Sequence, residues 1–407
     1  MKGSQSGKLI TFFFLYIAQS IPMSFFSTAI PVVLRQENYS LATIGLLQLI
    51  KLPWILKFLW APFVDSRANN ESQYKSWIFS AELIYAALIF CVSFLNITAD
   101  FTTLIILIIM AFLASATQDI ATDALSVLSF PRKEKSLAGS IQSIGGFAGT
   151  WIGSGLLLIL FSKWGWTTLL YCLSAFVLVA ILPLVMRRKP LLVNSIPAKK
   201  VKWKEVPLFF IQKGTGRLVL FLVLCYSGLI GILSMLKPMM VDMGYDMKDI
   251  GFMVGVTGTL AGCAGSLAGG FIMKYIPRKT ARIGGAALIL AATLYMLFFS
   301  YSGFNTASLY GGVMIVWCSY GMASVILYTT AMEHVRTGLE GTDFTLQTVI
   351  AHFSSMIVAI GSGKWADMFG YKGLFILEAV LAFLSLIVVV FLFSPVKKHV
   401  PENTSEI

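Results

Sequence analysis

The residues with the clearest chemical potential are polar side chains inside otherwise apolar stretches. Gln118, Asp119 and Asp123 lie together in one such stretch, and Lys57 closes another. Asp119 and Asp123 are four residues apart, so they share one face of a helix. Two carboxyl groups so close disfavour double ionisation, which suits a proton carrier. The alternative is an ion-pair network with Lys57 or Arg132 that closes the inner end of a transport pathway.

Three more polar residues are expected near the middle of a membrane. Lys51 and His352 each lie about 15 Å from the end of their apolar stretch at 1.5 Å per residue. Lys51 could bind a carboxylate or phosphate of a solute, or form an ion pair with an acidic residue on a neighbouring helix. His352 could take up a proton, or remain neutral and hydrogen-bonded to a carbonyl or hydroxyl. Gln19, beside the helix-bending Pro22, is a candidate hydrogen-bonding residue of a cavity.

Composition places these residues in an integral membrane protein. The chain has 407 residues, of which 57% are hydrophobic and 12% charged, and its mean hydropathy is +0.81. Because backbone groups in lipid need internal partners, and the apolar runs reach about 20 residues, the spans are predicted to be helices. Twelve are predicted, at 8–34, 41–62, 76–96, 101–130, 137–161, 166–187, 214–241, 248–273, 283–301, 306–332, 342–364 and 370–394.

The distribution of Lys and Arg predicts the orientation of these spans. Placing both termini on one side leaves four of the 31 basic residues on the opposite side and four within spans, so 23 share the side of the termini. This asymmetry predicts that both termini are cytoplasmic. It also accounts for the net charge of +12 through contact with anionic lipids, without nucleic acid.

An internal repeat divides the chain into halves. Gln142 is matched by Gln347, and the Trp-Gly-Trp turn around Gly165 is matched by Phe-Gly-Tyr around Gly370, in both cases 205 residues later. The prediction is therefore an all-α polytopic protein with two six-helix halves related by a parallel repeat. The expected domains are an N-terminal bundle (1–187), a cytoplasmic central loop (188–213), a C-terminal bundle (214–394) and a cytoplasmic tail (395–407).

Two motifs indicate a family. LPWILKFLWAPFVD at 52–65 and QDIATDA at 118–124 together resemble the AmpG muropeptide permeases of the major facilitator superfamily, their acetyl-CoA transporter relatives and the compact RhtX/FptX siderophore permeases. The resemblance implies a proton-driven carrier of a large, often anionic solute. It also implies that Tyr226 and Tyr320 line the solute cavity, although both could instead pack between helices. Asp65 stands where the superfamily has a loop motif between its second and third spans, and is assigned with Arg132 to conformational change.

The sequence therefore predicts a secondary transporter of the bacterial inner membrane that works by alternating access. Its partners are expected to be protons, membrane lipids and a small anionic solute such as an anhydromuropeptide or a siderophore. An efflux carrier of the same fold is the alternative. An integral-membrane lipid- or sugar-modifying enzyme is less favoured, because the chain has only three histidines and no ligand set with metal-site spacing. No cofactor or metal is expected, and the absence of a P-loop motif leaves ATP-driven transport unsupported.

Overall fold

The computed structural model describes residues 2–36, 50–187, 189–192, 201 and 203–391, and all regular secondary structure in this part of the chain is helical. In the first half the α-helices are α1 (Lys2–Gln36), α2 (Leu52–Leu56), α3 (Ala61–Ser66), α4 (Glu71–Val92), α5 (Phe101–Ser129), α6 (Lys135–Trp151), α7 (Leu157–Ala180) and α8 (Leu182–Val185). Short 3-10 turns occupy Lys57–Leu59 and Arg132–Glu134, and a π-helical segment occupies Ile152–Leu156.

The second half repeats this pattern of long apolar helices. Its α-helices are α9 (Glu205–Ile211), α10 (Thr215–Leu224), α11 (Ile230–Asp242), α12 (Met247–Ile250), α13 (Thr259–Tyr275), α14 (Arg278–Ser302), α15 (Thr306–Glu333) and α16 (Glu340–Phe391). A second π-helical segment, Gly251–Gly258, precedes α13. Helix α9 falls within the predicted central loop, while residues 188, 193–200, 202 and the predicted tail lie outside the described residues.

Two very long helical stretches each cross the membrane twice. Eight helical stretches in the described ranges are long and apolar enough to span, and two of them, Arg132–Val185 and Glu340–Phe391, contain 54 and 52 residues. A straight helix of that length would extend about 80 Å, more than twice the bilayer core. Gly165 (φ 74°, ψ 176°) and Gly370 (φ 68°, ψ −179°) turn the chain inside these stretches. Their matching geometry, 205 residues apart, confirms the predicted repeat.

Two predicted spans are interrupted rather than continuous. In the second span, residues 41–49 lie outside the described residues, and the remainder is divided by the 3-10 turn at Lys57 and by prolines at the starts of α2 and α3. The predicted seventh span, 214–241, was expected to be one helix, which is wrong. Residues 225–229 form turns between α10 and α11, where Gly228 has a positive φ of 87°. With these two interrupted segments, the described helices account for the twelve-span architecture.

Side chains from other helices satisfy the backbone at the break between α10 and α11. Ser354 and Ser385 donate to the carbonyls of Val223 (2.9 Å) and Leu224 (3.0 Å). Thr293 Oγ1 donates to the Gly228 carbonyl at 2.9 Å. The fully buried carboxyl group of Glu378 accepts a hydrogen bond from Ser362 and lies against Gly231. Non-helical backbone at membrane depth is tolerated where protein groups replace the lost hydrogen bonds.

The hydrophobic cores show how the halves meet. One core is formed by residues from Phe209 to Val389, and a second by residues from Ile17 to Val177, so each belongs to one half. A third core, around Phe12, Phe130 and Ala138, also contains Ala331, Met332 and Phe344 of the second half. The halves therefore share a core near the ends of α5 and α15.

A glycine stripe brings α6 against α1. Gly145, Gly149 and Gly153 recur every four residues, and a Cβ atom at Gly149 would lie 2.3 Å from Cβ of Ser20. A Cβ atom at Gly153 would lie equally close to the Ile21 carbonyl oxygen. The stripe allows the two backbones to approach as small residues do at membrane helix interfaces.

Replacing Gly149 by Ala is expected to lower stability by about 1–3 kcal/mol, because the added methyl group overpacks the α1–α6 contact. Gly146→Ala is the matched control, since a Cβ atom there meets nothing within 4 Å. It should leave stability unchanged or raise it by up to about 1 kcal/mol through better helix propensity. Thermal unfolding of the purified variants measures both. Equal behaviour of the two variants would contradict the close contact.

Candidate functional site

A buried ion pair lies at the centre of the N-terminal half. Lys57 Nζ donates to Oδ2 of Asp119, and the two residues are 5% and 3% exposed. The second carboxylate oxygen accepts a hydrogen bond from Gln19 Nε2 at 2.9 Å. The Lys57 ammonium also lies over the Trp54 ring, 5.2 Å from its centroid. The pair therefore joins α1, the turn after α2, and α5.

Asp123 lies one helical turn from Asp119 and is held by different partners. Its Oδ1 accepts hydrogen bonds from Tyr16 Oη and from Gln142 Nε2, each at 3.0 Å. Its Oδ2 is buried without a hydrogen-bond partner among the described residues. The predicted shared face of Asp119 and Asp123 is thus present, and of the two basic partners considered, Lys57 is the one that pairs with Asp119.

Gln118, although adjacent in sequence, lies outside this network. Its side chain is fully buried, and neither amide atom has a hydrogen-bond partner in the described part of the chain. It stays a predicted coupling residue without a contact to the ion pair.

Lys51 and His352 are more accessible. Lys51 is partly buried and forms no ion pair with an acidic residue in the described ranges. His352 is exposed, and its Nδ1–H donates to the Thr348 carbonyl at 2.8 Å, which leaves Nε2 as a free acceptor. The turn Lys57–Leu59 and helix α5, which hold the ion pair, both contact α16, the helix that carries His352.

The two predicted tyrosines belong to an aromatic cluster on the C-terminal side. Tyr226 lies at the break between α10 and α11, is 3% exposed and donates to Ser324 Oγ at 3.1 Å. Its ring is 5.2 Å from that of Tyr320, which is partly buried. Phe147 of α6 contacts both Tyr320 and Trp317, with centroids 5.5 and 5.9 Å away. Of the two tyrosines, Tyr320 is the one nearer to the opposite half.

Asp65 connects the halves at the predicted cytoplasmic end. Its Oδ2 accepts hydrogen bonds from the backbone N–H and the hydroxyl of Thr342, both at 2.7 Å. Its Oδ1 accepts from Gly341 N (3.2 Å) and from Tyr74 Oη (3.1 Å). Because Gly341 and Thr342 begin α16, the carboxylate caps a helix N-terminus, where negative charge is favoured. We call this contact the Asp65 latch.

Backbone carbonyls supply further contacts between the halves at the same end. The Arg278 guanidinium, which pairs with Glu333, donates to the carbonyl of Arg132 at 3.0 Å. The exposed Arg132 thus takes part through its backbone. Lys135 Nζ donates to the Met332 carbonyl. Ser140 Oγ donates to the Ser266 carbonyl at 2.9 Å, deeper in the interface. These contacts close the molecule at its predicted cytoplasmic end.

A loop beside the latch is fixed by Arg336. Its guanidinium donates to Asp343 at 2.6 and 2.8 Å and to the carboxylate of Glu205 in α9 at 2.9 Å. Burial lowers the pKa of Arg336, but the hydrogen bonds and charges of Asp343 and Glu205 outweigh it and hold the pKa above its ordinary value. Since Asp343 follows Thr342, this ion-pair network links α9 to the latch.

Sequence reasoning missed the partners of the site. Tyr16 lies three residues before Gln19, and Trp54 three residues before Lys57, so helical spacing could have suggested both. Gly341 binds Asp65 through its backbone N–H and Thr342 through its N–H and its hydroxyl, and neither carries a sequence signal for this contact. Glu333, which ends α15, and Arg336 lie where the sequence indicates only a break between spans.

Comparisons of the sequence give consistent relatives. The family model of the Major Facilitator Superfamily matches residues 10–359. The chain is 22% identical to the anhydromuropeptide permease of Escherichia coli K12, over 90% of this chain and 76% of that protein. It is also 22% identical to a Rickettsia conorii protein named transporter AmpG 4, over 95% of this chain and 96% of that protein.

Solved structures share the fold. A fucose:proton symporter of E. coli superposes with a TM-score of 0.69 at 15% identity, covering 95% of this chain and 98% of that one. A bacterial homologue of the iron transporter ferroportin, in its outward-facing state, gives 0.68 at 13% identity and covers 94% and 96%. At these identities the likeness concerns the fold alone.

Removing one member of the buried ion pair should destabilise the protein. Lys57→Met leaves the Asp119 carboxylate without its buried partner, and we expect a loss of about 3–5 kcal/mol. Adding Asp119→Asn should recover much of this loss, so the double variant should be far more stable than the sum of the single effects. Lys51→Met, which removes a lysine without an acidic partner in the described ranges, is the control. Thermal unfolding of wild type, Lys57→Met, Asp119→Asn, the double variant and Lys51→Met measures these effects, and additive effects of the two single substitutions would contradict the pairing.

Weakening the Asp65 latch should expose the first turn of α16. Asp65→Asn removes the charge that binds the amides of Gly341 and Thr342, so we expect their hydrogen exchange to accelerate about tenfold or more, given about 1.5–3 kcal/mol for a hydrogen bond to a charged group. Tyr74→Phe removes one neutral donor and retains the carboxylate, and should have a much smaller effect. Hydrogen-exchange mass spectrometry measures both. Unchanged exchange in Asp65→Asn would contradict the latch.

Proposed function

The chain belongs to the major facilitator superfamily of membrane transporters, and we propose that it is a proton-coupled importer of an anionic solute of the anhydromuropeptide type. The observation that carries this proposal is the buried Lys57–Asp119 pair, held on segments that contact the helix of His352 in the opposite half. The relatives named above, which align over most of the chain, support the solute class. The distribution of basic residues supports cytoplasmic termini, and the bacterial relatives support the inner membrane.

The arrangement of contacts supports entry of solute from the outer side. The latch at Asp65 and the Arg278 contact close the predicted cytoplasmic end. The buried residues of the two other cores each belong to one half. In alternating access, this is the form that receives solute from outside, and release requires the Asp65 latch to open while the opposite ends approach.

Charge balance explains how a proton and an anion would bind together. In the resting form the carboxylate of Asp119 neutralises Lys57. A proton on Asp119 would cancel that carboxylate and leave Lys57 as an uncompensated cation, which an anionic solute can then pair with. Each ligand therefore favours binding of the other, and this reciprocity is the thermodynamic basis of symport. Asp123, held by Tyr16 and Gln142 on one oxygen only, is a second acceptor for the proton.

The remaining residues would contact the solute itself. The ammonium of Lys51, unpaired with acidic groups in the described ranges, would bind a solute carboxylate. The free Nε2 of His352 would accept a hydrogen bond or a proton. Gln19 donates to Asp119 and would be released when that residue is protonated. The partly buried Tyr320 would pack on a sugar or peptide face, with Tyr226 supporting it from behind.

Uptake by proteoliposomes tests this function. With an inward proton gradient, we expect accumulation of labelled anhydromuropeptide that a protonophore abolishes. Lys51→Met should raise the KM about tenfold or more, because it removes a charge-assisted contact of at least about 1.5 kcal/mol. Asp119→Asn should abolish accumulation driven by the proton gradient while exchange of solute across the membrane continues. Lys163→Met, at an exposed position, is the control and should behave as wild type.

Three outcomes separate the alternatives. Accumulation of a ferric siderophore without anhydromuropeptide would retain the mechanism and replace the solute. Uptake that ignores the proton gradient would refute the coupling scheme. Accumulation only under an outward-directed gradient would indicate export.

A further inference from the structure

Four unpartnered polar side chains are buried between α4 and α5. Glu82 is 1% exposed, and Tyr85, Ser115 and Gln118 are fully buried. Both carboxyl oxygens, both hydroxyl groups and both amide atoms have no hydrogen-bond partner among the described residues. Buried polar groups in proteins are almost always satisfied, by protein or by internal water. Several unsatisfied polar groups on two adjacent helices indicate that something other than the described side chains, such as internal water or a proton, satisfies them.

The four residues lie at matching depths. Helix α5 ends on the side where α4 begins, and the two helices pack along their lengths. Glu82 is eleven residues from Glu71, and Gln118 eleven residues from Ser129, so both lie about 16 Å from that side. Tyr85 and Ser115, fourteen residues from the same helix ends, lie one turn further. The four side chains therefore lie at two neighbouring levels of the contact between α4 and α5, and together we call them the polar pocket.

The carboxyl group of Glu82 has no cationic partner in the part of the chain that the structure describes. Lys57, the buried lysine nearest in depth, is paired with Asp119. Around Glu82, α4 contributes Tyr85, α5 contributes Ser115 and Gln118, and α7 contributes Ser174, whose hydroxyl donates to the Ala86 carbonyl. None of these side chains carries a positive charge. An isolated carboxylate buried at this depth takes up a proton rather than remain charged.

We propose that Glu82 forms a buried proton-binding site in which the carboxyl group is held as a neutral acid. Internal water fits the same pocket, because the hydroxyls of Tyr85 and Ser115 and the amide of Gln118 supply the polar partners that a buried water needs. The pocket lies on α4, outside the ion-pair network, yet Gln118 adjoins Asp119 on α5. The N-terminal half would therefore store a proton at the depth of the ion pair, whichever solute is carried.

Infrared spectroscopy of the full chain in lipid nanodiscs tests this site without any transport. A neutral acid shows a carboxylic C=O stretch that an ionised carboxylate lacks. We expect Glu82→Gln to remove one such band at neutral pH and to leave the thermal midpoint close to that of wild type. Glu333→Gln is the matched control. The side chain of Glu333 is 2% exposed but paired with Arg278 and Arg282, so its loss should remove no acid band and should lower stability.

A second measurement uses the unaltered protein. Dicyclohexylcarbodiimide adds to protonated carboxyl groups in apolar surroundings, so mass spectrometry should find Glu82 modified and Glu333 unmodified. An unchanged acid band in Glu82→Gln, together with an unmodified Glu82 in wild type, would mean that Glu82 is an ionised carboxylate paired with a cation such as Na⁺. The proposal would then fail. Because no solute is involved, this failure is distinct from a failure of the transport assay.

Discussion

The ion pair between Lys57 and Asp119 fixes the geometry of the N-terminal half. A charge at membrane depth is tolerated only with a partner or in a water-filled cavity, and here the partners come from separate segments. The turn after α2 must bring Lys57 inward, α5 must present Asp119, and α1 must add Gln19. The close packing of α1 on α6 along the glycine stripe then places Tyr16 and Gln142 on Asp123.

The described spans were predictable because their signal is local, whereas the site depends on how the helices are rotated. Apolar runs between basic breaks identified α5 and α15 almost to the residue. The rarity of charge in those runs identified Asp119 and Lys57. Tyr16 and Trp54 could have been suggested by their helical spacing from Gln19 and Lys57, whereas Thr342, in the opposite half, depends on tertiary packing. The break at 225–229 was missed for this second reason, since its hydrogen bonds come from serine and threonine residues more than sixty positions away.

The closed end relies largely on backbone atoms. Asp65 binds the amides that begin α16, and Arg278 and Lys135 bind carbonyls that end helices or loops of the opposite half. Such contacts require one charged side chain instead of a complementary pair. The closed end can therefore form and separate without leaving two buried charges unpaired. The closed form needs no opposite charge on the other side of the interface.

The interrupted seventh span has a consequence for biosynthesis. Helix α10 has ten residues, about 15 Å, which is too short to cross a bilayer alone. The groups that complete the break, on Thr293, Ser354 and Ser385, are synthesised later. The nascent chain must therefore insert this region before its final hydrogen bonds exist. A chain truncated before α16 would retain backbone carbonyls without hydrogen-bond partners in lipid. Membrane proteases of the cell could recognise the truncated chain by this unsatisfied backbone.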